Sequence, residues 1–141
     1  RHLRLAEEMQ VGYRGAPPDS ALLSRQISHD ALELLSRPNY MVGSDAIPLG
    51  SLPHPRAYGT FPRLLGRLRR QFGLLSLEHM IQRMTDNPAR RFGLTNRGRI
   101  EKGYYADIVV FDADHINDNA TYDDPIQFPT GIAFVLVNGQ V

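Results

Sequence analysis

The sequence has 141 residues, a formal net charge of +1, 42% apolar residues and 22% charged residues. That length suits one ordinary domain or parts of two, and the composition argues for a packed core rather than disorder. The near-neutral balance excludes a bulk field drawing the chain to nucleic acid or to an anionic membrane. Cys is absent, so no disulfide framework, zinc finger or thiol nucleophile can form within the chain. This fits a reducing compartment, and the expected location is cytoplasmic. No apolar run approaches the ~18 residues of a membrane span. Arg1-His2-Leu3-Arg4-Leu5 leads into a charged stretch, unlike a signal peptide, and no initiator Met precedes it. Of the 16 basic residues, all but Lys102 are Arg, a bias that genomic base composition explains.

In chain order, Leu3, Leu5, Ala6 and Met9 form a weak amphipathic pattern that Gly12, Gly15 and Pro17-Pro18 break. Ser28 is placed to cap a helix with Ala31, Leu32 and Leu35 on one face, and Pro38 ends it. Tyr40-Met41-Val42-Gly43 then reads as a short strand buried on both faces, stopping at Ser44-Asp45. A Pro- and Gly-rich segment follows, with Pro48, Gly50, Pro53, Pro55 and Gly59. It predicts a long loop of the kind that carries function. Pro62 suits the first turn of a helix burying Leu64, Leu65 and Leu68. The clearest helix follows Ser76, with Leu77, Met80, Ile81 and Met84 at helical spacing. Asn87-Pro88 is expected to stop it and to start a short turn that Gly93 closes.

After Thr95 the pattern turns to strands. Ile108-Val109-Val110-Phe111 and residues 132–137 read as buried strands rich in β-branched residues. Asn138-Gly139 is a strong hairpin signal, and the chain ends two residues later, so the returning strand is expected to be cut short. The fold class expected is therefore α/β. Residues 1–95 read as the last βα units of a parallel structure, and residues 96–141 as part of a small, truncated β domain.

Several segments together resemble the amidohydrolase superfamily, and within it the N-acyl-D-amino-acid deacylases (D-aminoacylases). Met41-Val42-Gly43-Ser44-Asp45 resembles the final barrel strand of those enzymes. His54-Pro55-Arg56-Ala57-Tyr58-Gly59-Thr60-Phe61-Pro62-Arg63 is similar to the D-aminoacylase loop after it. Residues 75–94, with Met84-Thr85-Asp86-Asn87-Pro88-Ala89 inside them, resemble the last barrel helix. Residues 97–112, with Gly103-Tyr104-Tyr105-Ala106-Asp107, resemble the return into a small β-sandwich. The resemblance covers roughly residues 27–141.

It implies a metal-dependent (β/α)8 barrel with zinc at the C-terminal ends of its strands, acting on a small N-acyl amino acid. Most of the implied ligands, a His-x-His pair among them, are absent from this chain. It also implies that Asp45 contacts the metal through its bound water and carries a proton to the leaving nitrogen. A carboxylate suits that work, because its setting can raise its pKa. Arg56 would hold the substrate's carboxylate through two parallel hydrogen bonds. His54 is a weaker substrate-binding candidate, expected chiefly to brace Arg56 or the loop backbone.

Elsewhere, His29 and His79 are expected to pack or to face solvent, and Tyr58 to pack. Asp112, Asp114, His115 and Asp118 read as a solvated loop lacking a calcium-binding glycine pattern. Arg69-Arg70 and Arg90-Arg91 read as salt-bridged helix faces, and Asp107 as a brace at the start of the β segment. Two other readings compete: a dihydroorotase- or hydantoinase-like enzyme, and a non-catalytic binding or assembly module. Part of a barrel leaves strand edges unpaired. The isolated chain is therefore expected to be inactive and prone to self-association through those edges.

Overall fold

The computed structural model describes residues 33–34, 36–47, 50–73 and 75–141. The chain forms two compact units, residues 1–40 and 41–141. In the first, Glu33, Leu34 and Ser36 are helical, and a turn over residues 37–39 contains Pro38. The Ser28 cap and the remainder of that expected helix lie outside the described residues.

The second unit holds the elements that matter for function. They are α1 (Arg56–Arg63), a π-helical turn (Leu64–Leu68), α2 (Arg69–Phe72), α3 (Leu77–Met84), α4 (Asp86–Arg91), β1 (Ile108–Phe111) and β2 (Ile132–Leu136). The long loop expected before Pro62 is cut short, because α1 begins at Arg56. Pro55 sits at its N-cap with a φ of −53°, already near helical geometry. Gly59 is tolerated in its middle because it is a point of close approach, where an added Cβ would lie 3.4 Å from the Asp118 Cβ. Pro62 therefore falls inside the helix rather than in its first turn. It has no N–H for the ladder, and its ring crowds the carbonyl four residues back. The turn that follows widens to π geometry. Leu64 and Leu68 are buried there, and Leu65 is half-buried.

α3 forms as its spacing predicts. The Ser76 hydroxyl accepts the His79 N–H at its start, and Met80 is fully buried. It stops at Met84, earlier than Asn87-Pro88, because Thr85 leaves helical geometry at φ −129°. α4 then starts at Asp86 and carries Pro88 in its first turn, where a missing N–H costs nothing. Gly93 follows it at φ +68°.

Three expectations about strands and loops are corrected. Residues 41–43 carry no strand pairing among the described residues. The Val42 N–H donates instead to the Arg83 carbonyl at 3.1 Å, and Gly43 is exposed. A strand exists only where a neighbour takes up its backbone groups, and an apolar run does not supply that neighbour. β1 and β2 do pair, antiparallel, with Ile108 opposite Leu136 and an irregularity between Val110 and Phe111. They are not buried, since Val109, Val110, Phe134 and Val135 are each about half exposed. One face of this two-stranded sheet borders an apolar cavity of about 640 Å³, shared with Phe61, Ile81 and Met84, so the strands are not packed tightly against the helices. Asp118, expected in a solvated loop, is buried.

The hairpin signal holds. Asn138 and Gly139 take φ of +54° and +79°, and Val137 bridges Gln140 across them. Asp107 braces the start of the sheet. Its carboxylate accepts the Asn138 N–H at 2.9 Å and pairs with Arg97, whose guanidinium also lies over the Tyr105 ring.

Candidate active site

Asp45 and Arg56 leave the backbone at two different kinds of position. Asp45 takes a φ of +49°, which few residues other than Gly, Asn and Asp tolerate, and its side chain is exposed. Arg56 is the first residue of α1, where the loop ends. The two side chains meet, with Arg56 Nη2 lying 3.2 Å from Asp45 Oδ2. Arg56 Nε is shielded from water and makes no hydrogen bond. The guanidinium thus grips one carboxylate oxygen and holds an unused donor beside it.

His54 fixes the backbone from which Arg56 projects. The Arg56 N–H donates to His54 Nδ1 at 3.0 Å. In the neutral ring that bond leaves the proton on Nε2, which faces the Tyr122 hydroxyl at 3.0 Å. The two rings meet edge to face, with centroids 5.3 Å apart. Tyr122 arrives from the loop after β1, where Thr121 and Asp124 close a turn through Asp124 N–H to Thr121 Oγ1 at 3.0 Å. Partial burial pushes the Tyr122 phenol above its ordinary range, while the Arg63 and Arg56 cations pull it back. Nothing in the sequence marks Tyr122, because its partner lies 68 residues away. Tyr58 packs edge to face on Phe128 rather than reaching this pair.

The other sequence candidates are placed elsewhere. His79 is exposed on α3, and His29 lies outside the described residues. Asp112 caps its own turn, accepting from the Asp114 and His115 N–H groups and from His115 Nδ1. Those contacts, the His115 ring first, hold its carboxyl below the usual range. Asp118 leaves that group altogether and takes Arg63 Nε at 2.8 Å and Arg67 Nη2 at 3.3 Å. Arg69 and Arg70 reach carbonyl oxygens of Ala113 and Ile116, whereas Arg90 does pair with a carboxylate, that of Asp86.

Among the described residues no group of three or more His, Asp or Glu could hold a metal ion. Asp45 stands beside a cation, and both His54 nitrogens are engaged, Nδ1 by the Arg56 N–H and Nε2 by the Tyr122 hydroxyl. These residues therefore do not form a metal site by themselves. What they present is an exposed carboxylate in contact with a guanidinium whose own backbone N–H is held by His54.

Residues 9–141 match the profile described as "Amidohydrolase family". The chain belongs to that family. Among amidohydrolases it is 54% identical over 99 residues to an N-acyl-D-glutamate deacylase of Alcaligenes xylosoxydans xylosoxydans, covering 70% of this chain and 20% of that protein. It is 43% identical over 122 residues to a D-aminoacylase of the same organism, covering 86% and 25%. Among solved structures, the N-acyl-D-glutamate deacylase of Bordetella bronchiseptica, complexed with zinc and a phosphonate inhibitor, superposes with a TM-score of 0.77. The identity is 37%, over 99% of this chain and 30% of that one. The D-aminoacylase resemblance read from residues 27–141 is thereby upheld. This amidohydrolase chain spans about a fifth to a quarter of the length of those curated relatives. No helix among the described residues is long and apolar enough to cross a membrane.

Proposed function

We propose that the chain is the C-terminal part of an enzyme that hydrolyses the amide bond of N-acyl-D-amino acids. In this reading residues 1–95 complete a (β/α)8 barrel and residues 96–141 belong to a small β-sandwich. Zinc is the proposed cofactor of the whole protein, as in the zinc-bound Bordetella enzyme. Its ligand set is not formed by the residues described here.

The observation that carries the reading is the 3.2 Å pairing of Asp45 with Arg56. Arg56 already binds a carboxylate, and a substrate's α-carboxylate is the group that would displace Asp45. Two oxygens offered together would use both Nη2 and the unused Nε, which one Asp45 oxygen does not. Asp45, released, is left exposed at the end of its segment. There it takes a proton from the attacking water and returns it to the nitrogen as the C–N bond breaks. The products are a carboxylate and a free amino acid.

The test is hydrolysis of N-acetyl-D- and N-acetyl-L-amino acids by the whole zinc-loaded protein, beside the 141-residue chain alone. Turnover of the D substrates by the whole protein only is expected. An inactive whole protein would reject the reading. Activity of the short chain would reject the assignment of the metal to residues outside it.

A further inference from the structure

We propose that Tyr122 and His54 form a positioning relay that sets the angle at which Arg56 meets a substrate carboxylate. This rests on the reading of Arg56 as the carboxylate clamp. Three contacts in series support it. The Tyr122 hydroxyl lies 3.0 Å from His54 Nε2, and His54 Nδ1 takes the Arg56 N–H at 3.0 Å. Arg56 Nη2 then reaches a carboxylate at 3.2 Å.

The chemistry of imidazole joins the first two contacts. A backbone N–H can only donate, so Nδ1 must be the bare nitrogen. The ring proton is then on Nε2, where the phenol oxygen accepts it. The ring is locked in one tautomer and one orientation by groups on both sides. Without Tyr122 the ring could turn, and the Arg56 N–H would lose its acceptor. That N–H belongs to the first turn of α1, where no helical carbonyl is available to it, so His54 Nδ1 serves as its cap. The same helix start is tied from inside, because the Thr60 hydroxyl donates to the Arg56 carbonyl at 2.9 Å. The guanidinium of Arg56 thus projects from a backbone unit held on both its N–H and its C=O. Two parallel hydrogen bonds to a carboxylate demand a fixed plane, and a lone charge would not.

The relay also joins distant parts of the sequence. Tyr122 follows β1 and His54 precedes α1, so the β segment contributes to a specificity contact although it carries no reacting group. Neither residue touches the scissile bond in this account, and both act through Arg56.

The experiment uses the whole zinc-loaded protein and two substrates, an N-acetyl-D-amino acid and an N-acetyl amine lacking the carboxylate. Tyr122→Phe and His54→Ala are each expected to raise KM for the first substrate by about 2- to 10-fold, the scale of one lost hydrogen bond. Most of the loss should fall on KM rather than kcat, with a smaller loss on the amine. His54→Asn, whose side-chain oxygen can replace Nδ1 but cannot reach Tyr122, should recover part of the His54→Ala defect. In that background Tyr122→Phe should add nothing. In parallel, nitrogen NMR of His54 should show a bare Nδ1 that loses its single tautomer in Tyr122→Phe. Equal losses on both substrates, or additive effects of Tyr122→Phe and His54→Asn, would overturn the relay while leaving the clamp intact. If the unmodified protein turns over neither substrate, the underlying reading falls and the relay with it.

Discussion

The Asp118 carboxylate accepts a hydrogen bond from Arg63 Nε at 2.8 Å, across 55 residues of sequence and with only 2% of its side chain exposed. Arg67 adds a second contact to the same oxygen. Two guanidinium groups from one helical run thus converge on a single carboxylate below the surface. Removing one member of such a buried set leaves the others charged and poorly solvated. Asp118→Ala should therefore destabilise the fold by about 3 kcal/mol, and Asp118→Asn by nearly as much. Urea unfolding followed by circular dichroism would measure it. A change within ~0.5 kcal/mol, the scale of an exposed pair, would show that the cluster contributes little.

Acid should weaken the brace at the start of the sheet. The Asn138 N–H, and then Arg97, hold the Asp107 carboxyl below its ordinary value. Because the folded-state value is the lower one, these contacts stabilise fully above the unfolded value of about 3.9. That contribution disappears as pH falls from there through the folded value. Asp107→Asn should be less stable near neutrality, and its stability should fall less steeply than that of the unmodified chain below about pH 4. Parallel acid dependence in the two proteins would refute the assignment.

Gly66 and Gly73 separate two roles of glycine. A Cβ at Gly66 would overlap the Ile116 carbonyl oxygen, whereas one at Gly73 meets nothing but sits at φ +59°. Gly66→Ala should cost at least about 1–3 kcal/mol through forced displacement of the backbone. Gly73→Ala should cost about 1–2 kcal/mol from left-handed strain alone. Gly73→Asn, which tolerates left-handed geometry, should cost less than Gly73→Ala. Thermal unfolding of the set of variants would decide between them.

In the whole protein, Asp45→Asn keeps the shape of the side chain and removes its ability to take a proton. We expect kcat to fall by about 10²- to 10⁴-fold, the usual contribution of a positioned acid–base group. Arg56→Lys keeps the charge but loses the planar pair of donors, so it should recover little of the loss seen in Arg56→Ala. Steady-state kinetics on one N-acyl-D-amino acid tests both. Near-normal turnover by Asp45→Asn would remove Asp45 from the chemistry.

Features that depend on neighbours in sequence were legible, and those that depend on distant partners were not. Ser76 and the spacing of Leu77, Met80, Ile81 and Met84 carry the information for α3 locally. Asn138-Gly139 likewise states its turn in two residues. Asp45 and Arg56 are singled out by resemblance to a family, and their contact across the intervening segment is what the structure adds. Tyr122 has no local signature, since only its meeting with His54 gives it a role. Asp118 reads as solvated because it stands with the polar Asp112, Asp114 and His115, and the arginines that bury it precede it by about fifty residues. The apolar strands misled in a similar way. β-branched residues indicate the extended shape of β1 and β2, but burial depends on what covers them.

Arg63, Arg67, Arg69 and Arg70 all bind the segment 113–118, at separations of 43 to 55 residues. The helix bearing them is built from local contacts, whereas the segment they hold depends on closing a long loop. The order of assembly follows. During synthesis the helical run emerges before its ligand segment exists, and docking of that segment is a late event. Interactions absent from the transition state govern how fast a fold comes apart rather than how fast it forms. Loss of the Asp118 contact should accordingly accelerate unfolding and leave the folding rate almost unchanged, which stopped-flow chevrons would resolve.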